Sequence, residues 1–132
     1  MTVVRFGVSL EKGLLDALDK FAEENHFKNR SQALRHLISN NLTEKKWESN
    51  EIVAGAVSLV YDHHKRDLLS NLADLQHDFH DVILSNIHFH IDHDNCLEII
   101  AIKGESSRLK ELANRLIGLK GIQQGKLTTS SI

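Results

Sequence analysis

The sequence predicts an α+β protein in two parts, a small strand–helix–helix unit followed by a ferredoxin-like domain. Three observations predict it. Residues 3–10 alternate, with Val4, Phe6, Val8 and Leu10 on one side and Arg5, Gly7 and Ser9 on the other, the pattern of a half-buried strand. Two stretches of helical period follow before residue 48. Beyond a polar segment, Glu44–Asn50, strands and helices succeed one another in the order βαββαβ, which is the ferredoxin-like arrangement.

In the first part, Leu14, Leu15, Leu18, Phe21 and Ala22 keep helical spacing from about Glu11 to Glu24. Asn25–Asn29 breaks the period, and Ser31 is the expected N-cap of a second helix carrying Ala33, Leu34, Leu37, Ile38 and Leu42. One strand and two short helices do not enclose a core. Residues 1–48 are therefore expected to form an obligate dimer in which the lone strand pairs with its symmetry mate. The polar segment marks the expected boundary, with the second domain at residues 51–132. Its expected elements are a strand at Ile52–Tyr61, a helix at Lys65–Asp78, strands at Val82–Ile91 and Cys96–Lys103, a helix at Ser106–Leu119 and a strand at Ile122–Thr128. Leu68, Leu69, Leu72 and Leu75, then Leu109, Leu112, Ala113 and Leu116, give the two helices their apolar faces. Asp92-His93-Asp94-Asn95 is turn chemistry.

Composition narrows the function classes. No apolar run approaches the ~20 residues that a spanning helix needs, and the N-terminus lacks a basic region leading into an apolar stretch, so no signal peptide is expected. The single cysteine forms no internal disulfide, which fits a reducing cytoplasm. The net charge of −2 does not advertise nucleic-acid binding. Residues 1–50 carry eight Lys and Arg against seven Asp and Glu, a weak electrostatic signal.

The chemistry concentrates in one hairpin. In Ile87-His88-Phe89-His90-Ile91, alternation puts His88 and His90 on one face and the apolar residues on the other. With Cys96 opposite His90 across the turn, the thiolate joins that face with Cβ atoms ~5 Å apart, a separation that suits two ligands on one ion. Glu98 then lies opposite His88 and is a candidate to orient it; Tyr61 is a second residue expected to support the ligands. A slip of one residue would turn Cys96 to the Phe89 face. His77, at the end of the preceding helix, is the candidate fourth donor, from the same chain or from a partner. Imidazole and thiolate suit Ni(II) or Cu(II) in a square plane, or Zn(II) in a tetrahedron. His63, His64 and His80 read as surface or supporting residues, with a secondary metal site as the alternative. Cys96 beside a histidine is also the make-up of a nucleophile–base pair. No nucleophile elbow or Gly-rich phosphate loop accompanies it, so an enzyme is not expected.

Five segments carry a family resemblance: Arg5-Phe6-Gly7-Val8-Ser9-Leu10, Asn29-Arg30-Ser31-Gln32-Ala33-Leu34-Arg35, Tyr61-Asp62-His63-His64-Lys65-Arg66-Asp67-Leu68, Gln76-His77, and His88-Phe89-His90-Ile91-Asp92-His93-Asp94-Asn95-Cys96-Leu97-Glu98. With these, the chain resembles the nickel-responsive transcriptional regulators of the NikR type from about Val4 to Leu127. The resemblance implies a ribbon-helix-helix DNA-binding dimer joined to an ACT-type ferredoxin-like domain that forms a homotetramer, a dimer of dimers. It implies one square-planar Ni(II) per subunit, held by His88, His90 and Cys96 of one chain and His77 of a neighbour. It also implies contacts to a palindromic operator from Arg5, Gly7, Ser9 and Asn29, with Lys65 and Arg66 on phosphates. The function implied is repression of nickel-uptake genes in the cytoplasm; a copper or zinc sensor on the same scaffold, or a metal-free ACT-type small-molecule sensor, is the alternative. Two departures stand out. Gly7 takes a position usually held by Ser or Thr, and Gln32 and His36 stand where some members carry acidic ligands for an alkali cation.

Overall fold

The computed structural model describes residues 2–132. The chain forms two compact units, one ending at Asn41 and the other running from Leu42 to Ile132.

The first unit holds helix α1 (Lys12–Glu24) and the start of α2 (Arg30–Glu48). Helix α1 ends where His26 turns into the left-handed region at φ 58°. The His26 and Phe27 amides then donate to the carbonyls of Glu23 and Ala22, which closes a Schellman motif. Helix α2 is capped by Asn29, not by Ser31 as the spacing predicts. Asn29 Oδ1 accepts the Gln32 amide at 2.8 Å, while Gln32 Oε1 accepts the Lys28 amide at 2.7 Å. Leu18, Ala22 and Ala33 form a small core with Phe21, Phe27 and Leu34 against it. Arg30 clasps Asp19 through two hydrogen bonds, which hold the aspartate below and the arginine above its ordinary pKa.

The strand expected at residues 3–10 is not formed in the single chain. A strand needs a neighbour for its backbone N–H and C=O groups, and among the described residues none lies alongside. Its apolar side chains are correspondingly bare, with Phe6 77% exposed.

The second unit follows the expected βαββαβ order. Strands β1 (Ile52–Asp62), β2 (Ile83–His90), β3 (Asn95–Glu105) and β4 (Ile122–Ser130) make one antiparallel sheet in the order β2-β3-β1-β4. Helices α3 (Arg66–Asp78) and α4 (Ser106–Ile117) bury Leu68, Leu72, Leu75, Leu109, Leu112 and Leu116 against Val53, Val57, Leu59, Ile100 and Ile102. The opposite face keeps Ile87 and Phe89 half exposed, as is Ile91 just beyond β2.

The segment expected to separate the parts is helical through Glu48 and built into the second unit. Trp47 is 3% exposed, with its indole N–H donating to the Ser130 carbonyl at 2.8 Å. Ser106 Oγ donates to the Trp47 carbonyl at 2.6 Å, and Asn50 Oδ1 accepts the Ser107 amide at 3.0 Å. Gly55 meets the same indole: a Cβ there would lie 2.7 Å from the Thr128 carbonyl and 3.2 Å from Trp47. Six polar residues flank Trp47 in Glu44–Asn50, which is why the stretch reads as a linker.

Candidate metal centre

The β2–β3 hairpin has the expected register. His90 lies opposite Cys96 and His88 opposite Glu98. Its turn is set by Asp92, whose Oδ1 accepts the amides of Asp94 at 3.0 Å and Asn95 at 2.8 Å, while the Ile91 amide donates to the Asn95 carbonyl. These amides hold the Asp92 carboxyl below its ordinary range. On the other side of β3, β1 places Tyr61 opposite Cys96 and Leu59 opposite Glu98.

Period-two alternation therefore gathers Tyr61, His88, His90, Cys96 and Glu98 on the helix-facing side of the sheet. Cys96 is buried, with Sγ 3.9 Å from His88 Nδ1. Bonds of ~2.0 Å to imidazole nitrogen and ~2.3 Å to sulfur reach across such a gap, so one ion can touch both atoms. His88 Nδ1 also lies 3.3 Å from Tyr61 Oη, and its Nε2 sits 3.6 Å from Glu98 Oε2.

Glu98 is the anchor. It is 1% exposed, yet every oxygen has a partner. Tyr61 Oη donates to Oε1 at 2.6 Å, and Gln76 Nε2 and Asn86 Nδ2 each donate to Oε2 at 2.9 Å. Burial first, then the hydrogen bond to Glu98, push the Tyr61 hydroxyl pKa far up, so it stays a donor. Gln76 and Asn86 were not legible as site residues. Side-chain amides have no ligand chemistry of their own, although Asn86 sits two residues before His88 and so shares its face.

The other expected residues are placed differently. The His90 ring turns edge-on to His63, with centroids 4.7 Å apart. His77 is exposed on the last turn of α3 and stacks on His80 at 5.9 Å. One helical step of about 100° separates it from Gln76, which reaches Glu98. A single chain thus brings His88 and Cys96 together and leaves His77 apart. Among the described residues, the one group of three ligand-type side chains within 4.8 Å of one another is His64, His93 and Asp94, of which the sequence offers only His64 for a secondary metal site.

Lys65 is the N-cap of α3 and Arg66 its first residue; both line a cleft of about 400 Å³ with Lys120 and Gly121. Arg5, Gly7 and Ser9 lie exposed on the N-terminal segment. Asn29 spends its side chain on the α2 cap. Gln32 completes that cap, and His36 contacts Asn40 at 3.1 Å and the Phe27 ring at 5.1 Å.

Residues 54–130 match the family profile described as the NikR C terminal nickel binding domain. The chain belongs to the NikR family. A relative from Syntrophus aciditrophicus, provisionally named a nickel-responsive regulator, is 49% identical over 130 residues, covering 98% of this chain and 95% of that protein. Similarly named relatives from Chlorobium phaeobacteroides and Nitratidesulfovibrio vulgaris are 47% and 46% identical, covering 98% and 97% of this chain and 96% and 93% of theirs. An uncharacterized protein from Thermotoga maritima shares the fold, with a TM-score of 0.54 at 15% identity over 60% of this chain and 98% of that one. No helix of the described residues is long and apolar enough to cross a membrane.

Proposed function

We propose that this NikR-family chain is a nickel-responsive, DNA-binding transcriptional regulator that represses nickel-uptake genes when Ni(II) binds. The observation that carries the reading is the hairpin register, which sets His90 opposite Cys96 and His88 opposite a buried, fully partnered Glu98. His88, His90 and Cys96 would hold one Ni(II) per subunit, with His77 supplied by a neighbouring subunit. The donor set fits: thiolate and imidazole rank among the ligands that favour late first-row metals over Mg(II) or Ca(II). When bound, the ion would supply coordinate bonds that tie the hairpin of one chain to α3 of another.

The chain's own residues would convert that link into a DNA response. Gln76 and Asn86 share one carboxylate oxygen, which ties the end of α3 to β2 beside the ligands. Helix α3 carries His77 in its last turn and Arg66 at its start, so fixing one end constrains the other. Lys65 and Arg66 would then meet DNA phosphates, while Arg5, Gly7, Ser9 and Asn29 lie in the unit that reads a palindromic operator. Such coupling requires a ligand that distinguishes two conformations, and an ion bridging subunits does so.

Assembly fits the same reading. The bare Val4, Phe6 and Val8 need a symmetry mate, and a cleft of about 600 Å³ beside them is lined by Val4, Phe6, Leu34 and Ile38. The sheet face with Ile87 and Phe89 would pair the dimers into a homotetramer, working in the cytoplasm. The decisive test is Cys96→Ala. The variant should keep its circular dichroism spectrum and lose both the nickel–thiolate charge-transfer absorption and nickel-dependent operator binding. Wild-type nickel response in that variant would reject the reading.

A further inference from the structure

We propose that Arg108 is a positioning residue for the fourth nickel donor. It locks the segment that follows His77, so that the imidazole stands ready for the hairpin of a neighbouring subunit. The inference rests on the proposed role of His77 and adds to it a residue with no ligand chemistry of its own. Arg108 lies in the first turn of α4, and three of the four residues after His77 meet its guanidinium. Nη2 donates to the Asp78 carbonyl at 3.4 Å. The guanidinium carbon lies 4.5 Å from the centre of the Phe79 ring, which is buried. Nε and Nη2 then donate to the two Asp81 carboxylate oxygens, at 3.1 Å and 2.6 Å.

The remaining residue, His80, turns back on His77 itself. Its amide and its Nδ1 donate to the His77 carbonyl at 3.2 Å and 2.9 Å, and the two rings stack with centroids 5.9 Å apart. The Val82 amide donates to the Phe79 carbonyl at 3.0 Å, and the Val82 carbonyl accepts the Lys103 amide at 2.9 Å, which fastens the turn to β3. Stability alone does not account for the arginine. The Arg108 and Asp81 side chains are 37% and 54% exposed, and ion pairs that open to water contribute little to folding. Geometry does account for it. A guanidinium presents a planar fork to a carboxylate and a flat face to an aromatic ring at the same time, which a lysine ammonium does not. A donor that must join three others on another chain binds best when its own backbone is already ordered, since ordering is otherwise a cost of binding.

The test uses full chains carrying Arg108→Gln or, from the other side of the clasp, Asp81→Ala, with Ni(II) as the only added metal. In the metal-free protein both variants should keep the circular dichroism spectrum of the wild type. Hydrogen exchange should quicken at the amides of Phe79, His80 and Val82 and stay unchanged at Val57 and Ile100 in the sheet. Nickel affinity should fall ~10-fold in each variant, the lower end of the loss seen when support for a metal ligand is removed. A double-mutant cycle with His77→Ala shows whether the loss runs through that imidazole. In the His77→Ala background, Arg108→Gln should leave the residual nickel affinity unchanged. Wild-type nickel affinity in Arg108→Gln, an equal loss with and without His77, or unchanged exchange at the three amides in either variant would overturn the assignment. A failure of the nickel reading is separate: it appears as tight nickel binding that persists in Cys96→Ala.

Discussion

At the scale of single residues, Glu98 has the most exacting position. A buried carboxylate is tolerated because Tyr61, Gln76 and Asn86 all donate to it. Glu98→Gln keeps the shape but replaces one acceptor oxygen with an NH₂ group facing donors. At least one buried donor then loses its acceptor, at a cost of ~1–3 kcal/mol in urea denaturation of the metal-free protein. Because the carboxylate also sits beside His88 Nε2, nickel affinity should fall ~10–100-fold, as when support for a metal ligand is lost. A Glu98→Gln protein with unchanged stability and affinity would show that the network is ornamental. The opposition of Glu98 to His88 was legible because a strand alternates with period two and the turn chemistry at Asp92–Asn95 sets the register. The donors Gln76 and Asn86 were not, since nothing in an amide residue announces a buried carboxylate across the fold.

Elements show where pattern and packing part company. The βαββαβ order was legible because each apolar period had enough members to declare itself. Helix α2 is legible at its start only within a residue or two, since Asn29 and Ser31 are both good caps and the Gln32 amide's bond to Asn29 Oδ1 decides for Asn29. Its end is not legible, because one buried Trp47 among polar neighbours carries no period. That residue gives a sharp prediction. Trp47→Ala removes an indole packed in the core of the second unit and frees the Ser130 carbonyl, so it should cost ~3–5 kcal/mol by urea denaturation. A change below ~1 kcal/mol, the ordinary surface range, would return residues 44–50 to the status of a linker. The missing N-terminal strand has a different cause. Its alternation is plain in the sequence, but a strand's hydrogen bonds need a neighbour, and none of the described residues lies alongside.

At the scale of the whole molecule, the proposed regulator is incomplete as one chain twice over. Among the described residues the N-terminal segment has no strand to pair with, and His77 stands exposed against His80, outside the His88–Cys96 pair. Under the proposed function a second copy would meet both deficits, and only the second can be tested through the metal. Cys96→Ala chains keep His77 but lose a hairpin donor. His77→Ala chains keep the hairpin but lose the bridging donor. Each homogeneous assembly should bind nickel weakly. In mixed assemblies, a His77→Ala hairpin can meet His77 from a Cys96→Ala neighbour and form an intact site. Mixing and exchanging the two variants should therefore restore part of the charge-transfer absorption and of the tight nickel sites, up to the fraction of neighbouring pairs that are heterologous. Mass spectrometry of the mixture establishes that exchange took place. Recovery requires a ligand shared between chains, because no chain in the mixture carries both residues. If fully exchanged mixtures bind no more nickel than the separate variants, His77 serves its own subunit or none, and the metal no longer has a route from one chain's hairpin to another chain's α3.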